Sequence, residues 1–165
     1  MQTYLELPAP DVRAPLPAGF GVRPIRAADV VNGRQPVLAT PAAGIERLRE
    51  TTLYRPDHHL VVTAPAGRAV AECIFWVDDV NRIGVFEPVA TAPSHRRLGI
   101  ARAMLAHGLE RMRRHGVRLA KVSFESTNAA ARGLYFSLGF QPRFARLHYR
   151  REARLAKQDP GQARP

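Results

Sequence analysis

The chain has 165 residues, of which 25 are Lys or Arg and 14 are Asp or Glu, giving a formal net charge of +11. This length suits one domain with its own hydrophobic core, and a hydrophobic content of 45% excludes a disordered chain. No apolar stretch approaches the ~18 residues that a membrane-spanning helix needs, and the first residues show no signal-peptide pattern. The single cysteine, Cys73, excludes an internal disulfide and a cysteine-rich zinc framework, so we expect a soluble, cytoplasmic protein.

The positive charge is confined to the second part of the chain. The first 90 residues hold 9 basic and 10 acidic side chains, whereas the remaining residues hold 16 and 4. A strongly basic protein first suggests a nucleic-acid partner. This sequence has no basic runs interleaved with aromatic residues and no recognisable nucleic-acid-binding motif, which disfavours that partner.

Prolines dominate the start of the chain, with four in the ten positions from Pro8 to Pro17. Because proline cannot continue a helix or a central strand, we predict that residues 1–18 form an extended lead or linker. A short alternating strand is predicted over 20–26, and apolar residues at helical spacing predict a helix over 42–53. The segment between them has little periodicity.

The pattern is clearer in the rest of the chain. Three strands joined by tight turns are predicted at 59–64, 69–77 and 83–91. They are followed by a helix at 99–115, a strand at 119–125, a helix from the cap Asn128 to 138–139, and a strand at 140–150. This order predicts a mixed α/β (α+β) domain over residues 19–150, with a polar tail at 151–165.

The turn that leads into the helix at 99–115 is the first candidate site. The first turn of a helix has free N–H groups and a partial positive charge, which together bind anions. Gly99 and Ala101 are small enough to let a phosphate approach the backbone, and Arg96 and Arg97 add positive charge. The segment lacks the motifs of a nucleotide P-loop and of a dinucleotide-binding turn. The alternative is an ordinary strand–helix turn with solvated arginines.

Pro88 lies within the predicted strand at 83–91. Proline cannot donate to a neighbouring strand, so it marks either a bulge or an edge strand. A bulge here would splay the strand from its parallel neighbour at 119–125 and open a cleft for an elongated cofactor. Asn128 and Tyr135 are about 10 Å apart along one face of the next helix, where both can face this cleft. The alternative roles are a plain helix cap for Asn128 and a core position for Tyr135.

Two segments resemble a known superfamily. Arg96 to Ala101 reads Arg-Arg-Leu-Gly-Ile-Ala and matches the Gln/Arg-x-x-Gly-x-Gly/Ala signature of the GNAT N-acetyltransferases. Asn128 to Ala131 and Leu134 to Phe140 resemble that superfamily's second conserved block. The resemblance covers roughly residues 58–149 and includes bacterial members with a Phe-Glu-Pro-Val strand, among them the second repeat of tandem GNAT proteins such as mycothiol synthase. Many members have Gly-Arg or Gly-Lys where this chain has Arg97-Leu98.

The resemblance implies a central, mostly antiparallel sheet with a splayed parallel strand pair and flanking helices. It also implies an N-acetyltransferase that moves an acetyl group from acetyl-CoA to a primary amine by direct attack. Tyr135 would protonate the departing CoA thiolate, and Glu87 would act as general base, directly or through water. The residues that would bind the acetyl-CoA cosubstrate are Val89, Ala90, Thr91, Arg96, Arg97, Leu98, Gly99, Ile100, Ala101 and Asn128.

Two other classes of function are alternatives: a non-catalytic acyl-CoA-binding regulatory module and a basic nucleic-acid-binding protein. Cys73 is expected to be a small buried residue rather than a nucleophile. The six histidines have no metal-ligand spacing with acidic partners, so no metal site is expected. The sequence leaves open whether the acceptor is a small amine or a protein amino group, and whether the protein is a homodimer.

Overall fold

A computed structural model describes residues 1–8, 11–38 and 40–147 of the chain. The strands are β1 (Gln2–Pro8), β2 (Gly21–Pro24), β3 (His59–Thr63), β4 (Ala69–Asp78), β5 (Ile83–Thr91), β6 (Leu119–Glu125) and β7 (Gln141–Arg146). The helices are α1 (Ala42–Glu50), α2 (Ile100–Arg114) and α3 (Ala129–Ser137), with 3₁₀ turns at Ala27–Asp29, Pro56–His58 and Pro93–His95. The end of the predicted last strand, from residue 148, and the predicted tail lie outside the described residues.

All seven strands belong to one sheet, in the order β2-β3-β4-β5-β6-β1-β7. Every neighbouring pair is antiparallel except β5 and β6, which run parallel because α2 connects them as a crossover. The predicted mixed fold, with a mostly antiparallel sheet and one parallel pair, is therefore confirmed. None of the helices in the described part of the chain has the length and apolarity that crossing a bilayer requires.

The main core lies between the sheet and one face of α2. Leu105, Leu109 and Met112 of that helix are fully buried and pack on the strands with Phe75 of β4 and Phe86 of β5. Apolar residues at helical spacing place these side chains on one face of α2, as the sequence predicts. The packed sheet fixes the start of α2 at the end of β5, where the candidate site lies.

Residues 1–18 are predicted to form a lead outside the fold. This prediction is wrong for Gln2–Pro8, which form β1 within the sheet. β1 lies between β6 and β7 and pairs with both of them, and Leu5 is completely buried. The prolines do not prevent this arrangement, because Pro8 is the last residue of the strand and the other prolines follow it. The segment after β1 also packs on the core through Val12, Ala14 and Leu16.

β5 carries the bulge that Pro88 predicts. Against β4, the pairing passes from Phe75 with Phe86 to Cys73 with Val89, so β5 contains one residue more than β4 over this interval. A bulge of this kind accommodates a proline, whose nitrogen cannot take part in the ladder. The edge-strand alternative is excluded, since β5 has a neighbouring strand on each side.

The bulge coincides with the point where β5 and β6 separate. Their parallel pairing ends at Phe86 and Val122, although β6 continues to Glu125 and β5 to Thr91. Beyond this point the backbone of residues 87–91 is not paired with β6. The predicted splay is thus present, and it opens a cleft between the two strands.

Candidate functional site

The cleft between β5 and β6 has two connected parts. The narrow part, about 340 Å³ in volume, lies between the diverging strands and is lined by Glu87, Ser123–Glu125 and Tyr135, among others. The wide part, about 980 Å³, extends over the start of α2 and along α3. Residues 89–91, Ala101 and Asn128 line both parts, so the cleft is continuous.

The backbone at the start of α2 is shaped to bind an anion. Arg97 and Gly99 both have left-handed conformations, with φ of 67° and 77°, and Gly99 is the residue immediately before the helix. No side chain caps this end of α2, so the first N–H groups of the helix are open to the wide part of the cleft. These amides and the helix dipole together favour a phosphate group.

Basic side chains surround the same turn. Arg96, Arg97 and Arg102 line the wide part of the cleft, and none of the described residues lining this part is acidic. The Nε of Arg96 donates to the carbonyl of Thr91 at 3.3 Å, and Nη2 of Arg102 donates to the carbonyl of Ser137 at 3.4 Å. These bonds hold two guanidinium groups beside the open amides, which makes this part of the cleft electropositive.

Nine of the ten predicted cofactor-binding residues line the cleft. Leu98 does not line the cleft, and its side chain is 50% exposed to solvent. Ile100 lines the wide part and also belongs to the core, where it is 1% exposed. Val89, Ala90 and Thr91 lie on the bulged strand at the boundary between the two parts of the cleft.

Tyr135 of α3 lies in the wall of the narrow part. Its ring packs against Phe124 of β6 and Phe140, with centroid distances of 5.9 and 6.1 Å. Burial raises the pKa of Tyr135 to about 12, because water solvates the phenolate poorly there. The phenol therefore keeps its proton over the whole physiological range and is available to donate a hydrogen bond. Tyr135 is both a core residue and a residue that lines the cleft.

Asn128 is the residue before α3 and caps that helix. Its side-chain oxygen accepts a hydrogen bond from the Ala131 amide at 3.0 Å. The cap therefore uses the carbonyl oxygen, while the side-chain NH₂ remains a donor in the wall of the cleft. Asn128 is thus both a helix cap and a residue that lines the cleft.

The narrow part of the cleft is acidic. Glu87 lies at the bulge of β5 and Glu125 at the end of β6, and no described residue that lines this part is basic. The Glu87 backbone is held by the indole of Trp76, which donates to the Glu87 carbonyl at 2.7 Å. The charge of the residues that line the cleft thus changes along its length, from positive arginines at the start of α2 to negative carboxylates between the strands.

Sequence reasoning missed several residues of the cleft. Gln2 and Ser123 meet in the narrow part, where Gln2 Nε2 donates to Ser123 Oγ at 2.8 Å. Pro36 and Val37 form part of the wall of the wide part. The alternation of polar and apolar residues before Pro8 is a signal that could have identified β1. The loop around Pro36 has no comparable signal.

Cys73 is fully buried on β4, and burial raises the pKa of its thiol far above the usual range. It lines neither part of the cleft. A thiol in this environment stays protonated and is a poor nucleophile.

The folded chain brings together one group that the histidine spacing does not reveal. Asp57, His58 and His115 place one ligand atom each within 4.8 Å of one another, and the two Nε2 atoms are 3.3 Å apart. Burial lowers the pKa of His58 to about 4, so this ring is neutral at pH 7. Arg111 donates to the Asp57 carbonyl at 2.8 Å and adds positive charge, which opposes a bound cation. A hydrogen bond between the two rings accounts for their contact.

Residues 32–140 match the acetyltransferase (GNAT) family, a match that covers more than half of the chain and begins after β2. The ribosomal protein bS18-alanine N-acetyltransferase of Escherichia coli K12 is 36% identical over 61 residues, which are 37% of this chain and 41% of that protein. The chain thus matches less than half the length of this curated relative.

Two solved structures share the fold. A GCN5-related N-acetyltransferase from Sphaerobacter thermophilus has a TM-score of 0.69 and 18% identity, over 86% of this chain and 48% of that one. A tandem GNAT protein from the clavulanic acid biosynthesis pathway has a TM-score of 0.67 and 17% identity, over 86% and 50%. The sequence match, the splayed parallel strands and the anion-binding turn agree, and the chain belongs to the acetyltransferase (GNAT) family.

Proposed function

We propose that the protein transfers an acetyl group from acetyl-CoA to a primary amine. The observation that carries this proposal is the continuous cleft, which is basic at the start of α2 and acidic between the strands. Acetyl-CoA carries its phosphates at one end and its thioester at the other, whereas an alkylamine is a cation near neutral pH. The two ends of the cleft suit these two substrates, with the thioester between them.

The wide part of the cleft binds the phosphates. The amides of residues 97–101 donate hydrogen bonds to the pyrophosphate in their concave turn, and Arg96 and Arg102 neutralise its charge. The pantetheine arm lies along residues 89–91, on the side of β5 that β6 leaves unpaired, and forms backbone hydrogen bonds there. The side-chain NH₂ of Asn128 contacts the arm near the thioester.

The narrow part of the cleft is where the amine reacts. An alkylammonium with a pKa of ~10 has no lone pair for attack, so a base must first remove its proton. Glu87 takes this proton, directly or through water, and the amine nitrogen then attacks the thioester carbonyl. Amides of the bulged strand stabilise the oxyanion that forms. Collapse of this intermediate breaks the carbon–sulfur bond and releases CoA.

Tyr135 donates a hydrogen bond to the departing sulfur. A thiol has a pKa of ~8.5, so a phenol of pKa about 12 is the weaker acid by about 3.5 units. Complete proton transfer from Tyr135 to a free thiolate is therefore uphill by about 5 kcal/mol. The hydrogen bond acts while charge develops on sulfur. As the intermediate collapses, the nitrogen loses its second proton, which goes to the thiolate so that CoA leaves as a thiol, and the first proton passes from Glu87 to solvent.

The acceptor is an amine, and two kinds of amine suit the acidic part of the cleft. The E. coli relative is named for the alanine of ribosomal protein bS18. A peptide α-amino group and a small aliphatic amine are both cations that Glu87 and Glu125 attract. A panel of acceptors distinguishes them.

The experiment combines binding with turnover. Calorimetric titration with acetyl-CoA is expected to show 1:1 binding that Arg97→Ala weakens, whereas Arg113→Ala, an equal charge loss at the exposed far end of α2, leaves it unchanged. Release of CoA thiol is then measured with small amines and with peptides that have a free α-amino group. Absence of binding refutes the proposal, and binding without turnover with any acceptor indicates a non-catalytic acyl-CoA module.

The remaining expectations belong to the same proposal. Residues 19–150 and β1 form one acyltransferase unit, since β1 completes its sheet. We also propose a bacterial, cytoplasmic enzyme, because the E. coli relative is bacterial and the lone Cys73 suits a reducing compartment. Retention on DNA at physiological salt would favour the nucleic-acid alternative, because non-specific charge contacts weaken steeply with salt.

A further inference from the structure

Glu72 is a buried carboxylate next to the cleft that the proposed reaction does not use. It lies on β4, pairs with Ala90 of β5 and is completely inaccessible to solvent. Paired residues on neighbouring antiparallel strands project from the same face of a sheet, so Glu72 is the neighbour of Ala90 on that face. Ala90 lines both parts of the cleft.

The contact that Glu72 makes is with a distant loop. Its Oε1 accepts a hydrogen bond from the Leu38 amide at 2.7 Å, and the Val37 amide also favours the ionised carboxylate. Pro36 and Val37, next to this bond in the chain, form part of the wall of the wide part. The residues of the loop at 36–38 belong to no helix or strand, so its backbone lacks the regular hydrogen bonds of those elements. The bond from Leu38 to Glu72 of β4 fixes the position of the loop instead.

No cation neutralises Glu72 in the part of the chain that the structure describes. His59 Nε2 is 4.0 Å from Glu72 Oε2, and burial lowers the pKa of His59 to about 4, so that ring is neutral at pH 7. Tyr54, which bonds to His59 Nδ1 at 3.1 Å, is also neutral, and the charge of Asp29 repels the carboxylate. Burial raises the pKa of Glu72 to about 7. An unpaired buried charge is unfavourable for stability, so its presence beside the cleft points to a role there.

We propose that Glu72 is a positioning residue, which holds the loop at 36–38 as one wall of the cleft and thereby sets the affinity for acetyl-CoA. This inference rests on the proposed function. The ionised carboxylate accepts charge-assisted hydrogen bonds from the loop amides, and these are about twice as strong as bonds to the neutral acid. The wall is therefore held more firmly above pH 7 than below it.

The test compares Glu72→Gln, which keeps an accepting oxygen but cannot ionise, with Glu72→Ala and with the control Glu46→Gln. Glu46 is an exposed residue of α1 and undergoes the same chemical change. The dissociation constant of acetyl-CoA is measured by calorimetry at pH 6 and pH 8.5, together with kcat and KM. The control corrects for titration of the ligand's own phosphates, because it shares that titration.

At pH 8.5 we expect wild type and Glu46→Gln to bind acetyl-CoA about threefold more tightly than Glu72→Gln does. At pH 6 the dissociation constants of all three proteins are expected to converge. Glu72→Ala, which removes the acceptor, weakens binding about tenfold at pH 8.5 while kcat at saturation stays within about twofold. The inference is overturned if the dissociation constant of acetyl-CoA has the same pH dependence in wild type and Glu72→Gln. It is also overturned if the Glu72 variants lower kcat without weakening the binding of acetyl-CoA. If Glu72→Ala does not fold, Glu72→Gln decides the question alone.

The outcome also separates this inference from the proposed function. If wild type binds acetyl-CoA and the Glu72 variants bind it equally well at both pH values, only the role of Glu72 is refuted. Wild type that fails to bind acetyl-CoA refutes the proposed function and this inference together.

Discussion

Replacing Tyr135 with Phe removes a single oxygen atom from the wall of the narrow part. The ring contacts with Phe124 and Phe140 do not involve the hydroxyl and are kept. Within the described residues the hydroxyl has no hydrogen-bond partner, so the fold loses no bond when it is removed. Tyr135→Phe therefore separates the chemical contribution of the phenol from its packing.

The expected loss follows from the environment of the hydroxyl. A donor held in a buried wall stabilises developing charge more strongly than one in water, and a lost preorganised donor lowers kcat by about 10²- to 10³-fold. Burial raises the pKa of Tyr135 to about 12, which makes the phenolate about 3 kcal/mol less favourable than in water. Because this opposes full proton transfer, we expect the lower end of the range, about 10²-fold.

The assay is thiol release at saturating acetyl-CoA and amine between pH 6 and 10. Tyr135 keeps its proton below pH 12, so it adds no falling limb to the wild-type profile in this range, and both profiles have the same shape. KM for acetyl-CoA and Tm are expected to be unchanged. Tyr4→Phe is the control, since its hydroxyl bonds to Gln2 Oε1 and Tyr4 lines neither part of the cleft. A kcat within about threefold of wild type refutes the reasoning, as does a fall in Tm of more than about 5 °C, which indicates a structural role.

Three further predictions concern the rest of the domain. Gly108→Ala places a Cβ 2.7 Å from the Phe86 ring, and this overpacking is expected to lower the free energy of unfolding by about 1–3 kcal/mol in urea titration. Cys73 is expected to resist aromatic disulfide reagents until the chain is unfolded, and rapid labelling of the native protein contradicts its burial. Glu72→Gln is expected to match wild type in stability near pH 4 and to exceed it by up to about 3 kcal/mol at pH 8.5, because the raised pKa of Glu72 makes wild type lose stability as pH rises from about 4.5 through 7. Equal stabilities at pH 8.5 contradict the last prediction.

The local parts of the site could be predicted from the sequence because each depends on neighbouring residues. Gly99 is required by a left-handed turn before a helix, and Arg96 and Arg97 accompany it within three positions. Pro88 similarly marks the bulge within its own strand. Asn128 is recognisable as a cap from its place before α3. These features need no knowledge of distant contacts.

The rest of the site depends on contacts between distant parts of the chain. The prolines of residues 1–18 predict an extended lead, whereas β1 is ordered by two partner strands that lie more than 110 residues further on. The loop at Pro36 contacts Glu72 through the Leu38 amide, and these two residues are 34 positions apart. The Asp57–His58–His115 group forms because the end of α2 meets the turn before β3. Spacing along the sequence carries no signal for such contacts.

The position of β1 determines the order in which the sheet can be completed during synthesis. Among the described strands β1 is synthesised before the others, whereas its partners β6 and β7 are the last two. The bond between Gln2 and Ser123 spans 121 residues, and contacts of such separation slow folding because a long loop must close first. Until β1 inserts, β6 presents an unpaired edge next to the cleft, which is a site for misassembly. This side of the cleft is therefore completed late, when the first and the last of the described strands meet.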